Sequence, residues 1–121
     1  MEIRKQQMEA LAASQLRRFH AQMLAHLRTF FPMQFVALGE ERSLQLVRHG
    51  IARGGHYGIT AERDVCKLID LMLTLGPDMD RKFPWIATTL ADLSMPARDR
   101  VNAVYDALLT SLSKHADAPS P

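Results

Sequence analysis

Apolar residues return at every third or fourth position along nearly the whole chain, and only prolines and glycines interrupt them. That spacing is the period of an α-helix, and no stretch alternates apolar and polar residues as a half-buried strand does. The expected fold is therefore all-α, a single-domain bundle of about five helices over residues 1–115, followed by a disordered tail over 116–121. A chain of 121 residues fits one domain. A domain of that size buries roughly two thirds of the surface its unfolded chain exposes, enough to fold without disulfides or a structural metal. The apolar fraction of 47% and charged fraction of 23% are those of a globular chain, which sets global disorder aside.

The breaks place the helices. Met8, Leu11, Leu16, Phe19, Met23, Leu27 and Phe30 fall close to one stripe, predicting a long amphipathic helix over about 4–30 that Pro32 stops. Residues 33–39 fit either a helical turn or an extended linker. A second helix over about 40–55 carries Leu44, Val47 and Ile51 inward, with Glu40 and Glu41 at its positive end. Gly50, Gly54 and Gly55 each cost roughly 1 kcal/mol inside a helix relative to alanine, so either another helix packs very close there or the end is loose. Gly58 is a stop signal, and Thr60 is the expected N-cap of a helix over 61–75, the most apolar of the set and the expected centre of the core. Gly76-Pro77 ends it. Residues 78–83 read as a loop. Pro84 opens a short helix over about 84–93 with Trp85, Ile86 and Leu90 inward. The last helix, about 96–114, carries Val101, Val104, Tyr105, Leu108 and Leu112 on one face.

No residue set assembles into a reactive centre. His49 and His56 can share a helical face, but seven residues separate them by about 10 Å, too far for one zinc. Asp78 and Asp80 form an Asp-x-Asp without the further oxygen ligands that calcium needs, and Arg81 and Lys82 follow at once, so a solvated loop is expected. Cys66, the single cysteine, sits among Val65 and Ile69 and reads as a small packed hydrophobe. The glycines at 50–58 lack the Gly-Lys-Ser/Thr of a phosphate loop. Glu62 and Asp64 point in different directions on a helix and suit its N-terminus. We therefore expect no enzyme activity, no catalytic residue, no cofactor and no metal. A small enzyme would need a deep polar pocket around Cys66, His49 or His56.

Charge limits the partners. Residues 1–58 hold eight basic and four acidic side chains, and residues 59–121 hold seven and nine. Nucleic-acid binders carry a denser basic stripe, and Arg42, Arg48 and Arg53 are not all on one face, so nucleic acid is not expected. No apolar run approaches the ~20 residues of a membrane span. The N-terminus lacks a signal-peptide core, and one cysteine calls for no oxidising compartment; the expected location is the cytoplasm.

The remaining features suit protein binding. Met33, Met79 and Met95 sit in expected linkers, and methionine adapts to partner surfaces, although capping the core explains them equally. Phe30-Phe31-Pro32 and Phe83-Pro84-Trp85 are aromatic corners that either lock loops onto the core or anchor an interface, with Trp85 placed in the core or at an interface. The start of the first helix, Met8 to Phe19, could lie in a partner's groove. The candidate partner-binding residues are Met8, Leu11, Leu16, Phe19, Met33, Tyr57, Met79 and Trp85.

Finally, Gly50-Ile51, Tyr57-Gly58-Ile59, Glu62, Asp64-Val65, Leu71-Met72, Gly76 and Pro84-Trp85 form a run that resembles a family of small helical proteins encoded in bacterial type VI secretion effector clusters. Phe19, Met23, His26-Leu27 and Phe31-Pro32 extend the resemblance to about residues 16–105. Gly54-Gly55 stands where larger helix formers are expected. The resemblance implies an accessory chaperone or co-adaptor, whose partner is an adaptor chaperone, a secreted effector or both, and it implies no catalytic residues. The alternatives are an effector immunity protein, which calls for a more concentrated complementary face, and a small helical nucleic-acid-binding regulator. Self-association is compatible with all of these.

Overall fold

Proline and glycine divide the helical pattern at nearly the expected points. The computed structural model describes the backbone of residues 2–117 and the side chains of residues 7–10 and 12–112. The described residues form six helices and no strand: α1 (Glu2–Phe30), α2 (Pro32–His56), α3 (Glu62–Leu75), α4 (Met79–Lys82), α5 (Pro84–Leu90) and α6 (Ala97–Asp117). The all-α expectation holds. None of these helices is long and apolar enough to cross a membrane. The chain clusters into two compact units, Met1–His49 and Gly50–Pro121. Of the tail expected over 116–121, Ala116 and Asp117 are the last residues of α6, and the rest lies outside the described residues.

In the first unit, Pro32 does stop α1, and it opens α2 directly. Phe31 N–H donates to Leu27 O (2.8 Å) and Phe35 N–H to Phe31 O (2.9 Å), while Pro32 has no N–H to give. Residues 33–39 take the helical option. The helix then breaks at Gly39, whose φ of 82° and ψ of 163° only glycine adopts readily. Phe19, Met23 and Leu27, spaced four apart on α1, are buried, as are Leu46 and Val47 on α2. The stripe continues past the buried stretch. Met8, Leu16 and Phe30 obey the same period yet stand in solvent. His20 is held below the usual histidine range by burial, with Arg48 adding to the effect. Ser43 is fully buried, and its hydroxyl has no hydrogen-bond partner.

The second unit answers the question raised by the glycines at the end of α2. A Cβ at Gly50 would land on the Ile69 side chain, and one at Gly54 would sit 2.7 Å from the carbonyl oxygen of Ile59. Four residues apart, these glycines let the last turns of α2 press against α3 and the segment that precedes it. Ile59 N–H returns to Gly54 O at 2.7 Å, and Gly58, at φ 74°, makes the turn between them. Ile59, Val65, Leu68, Ile69, Leu71, Met72, Met79, Ile86, Leu90, Val101 and Val104 form the core of this unit. α3 supplies more of them than any other helix, as expected. α5 packs on α4 and on α6, and α6 on α3.

Four local expectations are corrected. Ala61, not Thr60, occupies the N-cap of α3, and it makes no side-chain cap hydrogen bond. Residues 79–82 are a helical turn where a loop was expected, because Lys82 N–H reaches Asp78 O (3.0 Å) and Met79 is drawn into the core. α5 stops at Leu90; residues 91–96 form a turn in which Asp92 accepts from the Ser94 hydroxyl (2.6 Å) and the Met95 N–H reaches Asp92 O (3.2 Å). Trp85, Tyr105 and Leu112, expected inward, are exposed.

Two substitutions separate the forces at work. Gly54→Ala gains helix propensity but drives a methyl into backbone, and should lower unfolding free energy by about 1–2 kcal/mol. Ser43→Ala removes an unpaired buried hydroxyl and should raise it by about 1 kcal/mol. Urea unfolding followed by circular dichroism measures both, and the opposite signs check the account.

Candidate functional site

Two surfaces and one polar cluster are candidates for chemistry or recognition. The cluster lies in the second unit. Arg53 and Tyr57, one turn apart at the end of α2, both reach the carboxylate of Asp80 on α4. The Arg53 guanidinium donates to Asp80 Oδ2 in a close ion pair, and the Tyr57 hydroxyl donates to the same oxygen at 2.7 Å. A second contact links Arg53 Nη2 to the Tyr57 hydroxyl at 3.2 Å, and the guanidinium lies 5.3 Å from the centre of the Tyr57 ring. Asp80 is only 6% exposed. Burial pushes its carboxyl up, but the Tyr57 hydroxyl and the Arg53 guanidinium outweigh burial and hold it below the usual carboxylate range. Tyr57 is raised, first by burial and then by its bond to Asp80. The bond to Asp80 also raises Arg53. Tyr57 is thus a neutral donor and Asp80 an ionised acceptor.

Arg100 of α6 continues the cluster from the other side. It is 4% exposed and spends its donors on backbone carbonyls: Nε on Met95 O (3.1 Å), and Nη1 on Tyr57 O (2.8 Å) and, more closely, on Leu90 O. Arg53, Tyr57, Asp80 and Arg100 therefore tie the end of α2, α4 and the α5–α6 turn together. Lys67 Nζ adds a bond from α3 to Asn102 Oδ1 of α6 at 2.8 Å. An oxygen that already accepts from an arginine and a tyrosine is poorly placed to take a proton from a substrate, so the arrangement acts as a structural clamp. This corrects the reading of Asp78-x-Asp80 as a solvated loop. Arg53, weighed above as a nucleic-acid contact, is committed to Asp80.

Cys66 is half-buried, as expected, and its thiol is pushed up to about 11 by burial and by the neighbouring Asp70. At neutral pH it is a thiol, a weak nucleophile. The His56 ring packs edge-on to Tyr57 at 4.9 Å, beside a shallow, open hollow lined by Gly55, Tyr57, Gly58, Ala91 and Leu93.

The candidate partner-binding residues divide. Met8, Leu16, Met33 and Trp85 are exposed. Phe19 is buried, and Met79 is fully enclosed in the core; neither can touch a partner while its unit is folded. Tyr57 is half-buried and committed to the clamp. The Leu11 side chain lies outside the described residues. Two exposed groups stand out, in which the sequence pointed to Met33 and to the Phe30 corner but not to Val36 or to an exposed face on α6. At the join of α1 and α2, Phe30, Met33 and Val36 are 68%, 82% and 80% exposed. On α6, Tyr105, Leu109 and Leu112 stand one turn apart in solvent. At the join, the Arg28 guanidinium crosses from α1 to lie 5.1 Å over the Phe35 ring, and His26 stacks at 4.9 Å from Phe30.

The chain matches no protein-family model, no curated protein and no solved structure.

Asp80→Asn should lower stability at pH 7 by about 2 kcal/mol, less than for a fully enclosed pair because Arg53 keeps some contact with water. The depressed carboxyl contributes its stability above the unfolded-state value near pH 4, and loses it as pH falls through the lower folded value. The gap between the two proteins should therefore close below pH 4, as measured by urea unfolding at pH 7, 5, 4 and 3.

Proposed function

We propose that this chain is a protein-interaction module, an accessory chaperone or adaptor partner for a type VI secretion effector, working in the bacterial cytoplasm. One observation carries the interaction reading: Phe30, Met33 and Val36 stand largely in solvent within a single stretch of chain. Scattered exposed apolar residues are ordinary, but large ones gathered at a helix join mark a surface that gains by being covered. Methionine beside valine and phenylalanine offers a deformable, wholly apolar contact, the kind used on chaperone-like binding surfaces. The specific setting rests on the resemblance of Tyr57-Gly58-Ile59, Asp64-Val65, Gly76 and Pro84-Trp85 to the type VI accessory family.

The clamp fits the same reading. Arg53, Tyr57 and Asp80 are occupied with one another, so the second unit gains rigidity from them while its apolar residues on α6 stay available.

The reading is tested in the host with the full chain carrying an affinity tag. Met33→Asp with Val36→Asp should reduce recovery of a protein encoded in the same effector cluster by tenfold or more, on the order expected for losing an anchor. Both positions are exposed, so helicity by circular dichroism should not change. Equal recovery of the same proteins by the double variant and the parent contradicts the proposal.

A further inference from the structure

We infer that the join of α1 and α2 receives an acidic amphipathic helix of another protein; this rests on the interaction reading above and names the partner's chemistry. The apolar part of the argument is Met33 and Val36, one turn apart and therefore on one side of the start of α2, both about four-fifths exposed. Apolar side chains at that spacing fit the ridge of a second helix.

Charge chooses the partner. From Ala10 to Gly39 the chain carries Arg17, Arg18 and Arg28, and no aspartate or glutamate. The acids that bound this stretch are Glu9, just before it, and Glu40 and Glu41, after the break at Gly39. Arg28 reaches over Phe35, the neighbour of Val36, so its positive charge borders the apolar surface. Arg17 stands eleven residues earlier, about three turns and roughly 16 Å along α1, on the side that carries Arg28. Arg17, Arg18 and Arg28 are all exposed. An apolar centre with a basic border is complementary to an apolar ridge flanked by carboxylates, which such a border steers and registers.

The same features disfavour other occupants. A second copy docking by the same face brings the basic stretch of residues 10–39, which holds no carboxylate, against a face of the same sign. Nucleic acid calls for a dense set of Lys and Arg against its phosphates, whereas residues 10–39 carry three arginines, one of them over the Phe35 ring. A membrane surface calls for a longer apolar face and more basic residues than three arginines.

The test places the photocrosslinker p-benzoylphenylalanine at Met33 or at Val36 of the full chain in its host, with parallel positions at Trp85 and Leu109, and sequences the attached peptides. The expected adduct at 33 and 36 is a peptide of another protein with more acidic than basic residues and apolar residues at helical spacing. Arg28→Glu should cut its yield about fivefold, in the range of an exposed charge pair. A peptide of this chain, a lipid, a nucleic acid or a peptide of net basic charge overturns the inference, and so does an unchanged yield with Arg28→Glu. Adducts confined to 85 or 109 overturn it while leaving the interaction reading intact; no protein adduct at any of the four positions sinks both.

Discussion

A single carboxylate organises the second unit. Asp80 sits on a helix of only one turn, far too short to hold itself together in water, and the ends of α2 and α4 would have little reason to stay in register without it. Its oxygen takes a proton donor from Arg53 and another from Tyr57, and the Tyr57 carbonyl is in turn held by Arg100 from α6. Desolvation opposes an ionised aspartate here, and the two donors exceed it. Removing one partner would strand the others in a poorly hydrated place, which makes the cluster worth more to folding than any one of its bonds.

Close backbone approach complements the clamp. Gly50 and Gly54 bring the last turns of α2 onto Ile69 and Ile59, so packing positions the stretch that carries Arg53 and leads into Tyr57. The apolar core of Leu68, Ile69, Met72, Ile86, Leu90, Val101 and Val104 then closes the unit. In the first unit the breaks at Pro32 and Gly39 bound a short helical segment whose Met33 and Val36 stand largely in solvent. Phe30, Met33 and Val36 are left in water, and on the function proposed above they are the surface a partner covers.

The helices were legible because their signals are local. Pro32, Gly58, Gly76-Pro77 and Pro84 each act through their own φ angle or missing donor, and each marks a boundary in the structure. Phe19, Met23 and Leu27 were legible as core from period alone. Period could not say how far along a stripe burial extends, so Phe30, Tyr105 and Leu112 obey the pattern and still face solvent. Asp80 was hidden for a different reason. Its partners are 23 and 27 residues away, and nothing in Asp-Met-Asp-Arg-Lys distinguishes a buried acceptor from a solvated loop. Arg100 is the same case at a separation of 43. In the proposed interaction surface, Met33 was legible as an adaptable residue outside the expected core, whereas Val36 was not, because residues 33–39 fitted either a helical turn or a linker.

Hydrogen–deuterium exchange tests the central claim most directly. The full chain, alone and with the protein that the tagged parent recovers from its host, is exchanged over seconds to hours and read peptide by peptide. The account predicts that the partner slows exchange across residues 28–38 by tenfold or more. Protection confined to Gly50–Pro121, with residues 28–38 exchanging at the same rate in both states, contradicts it.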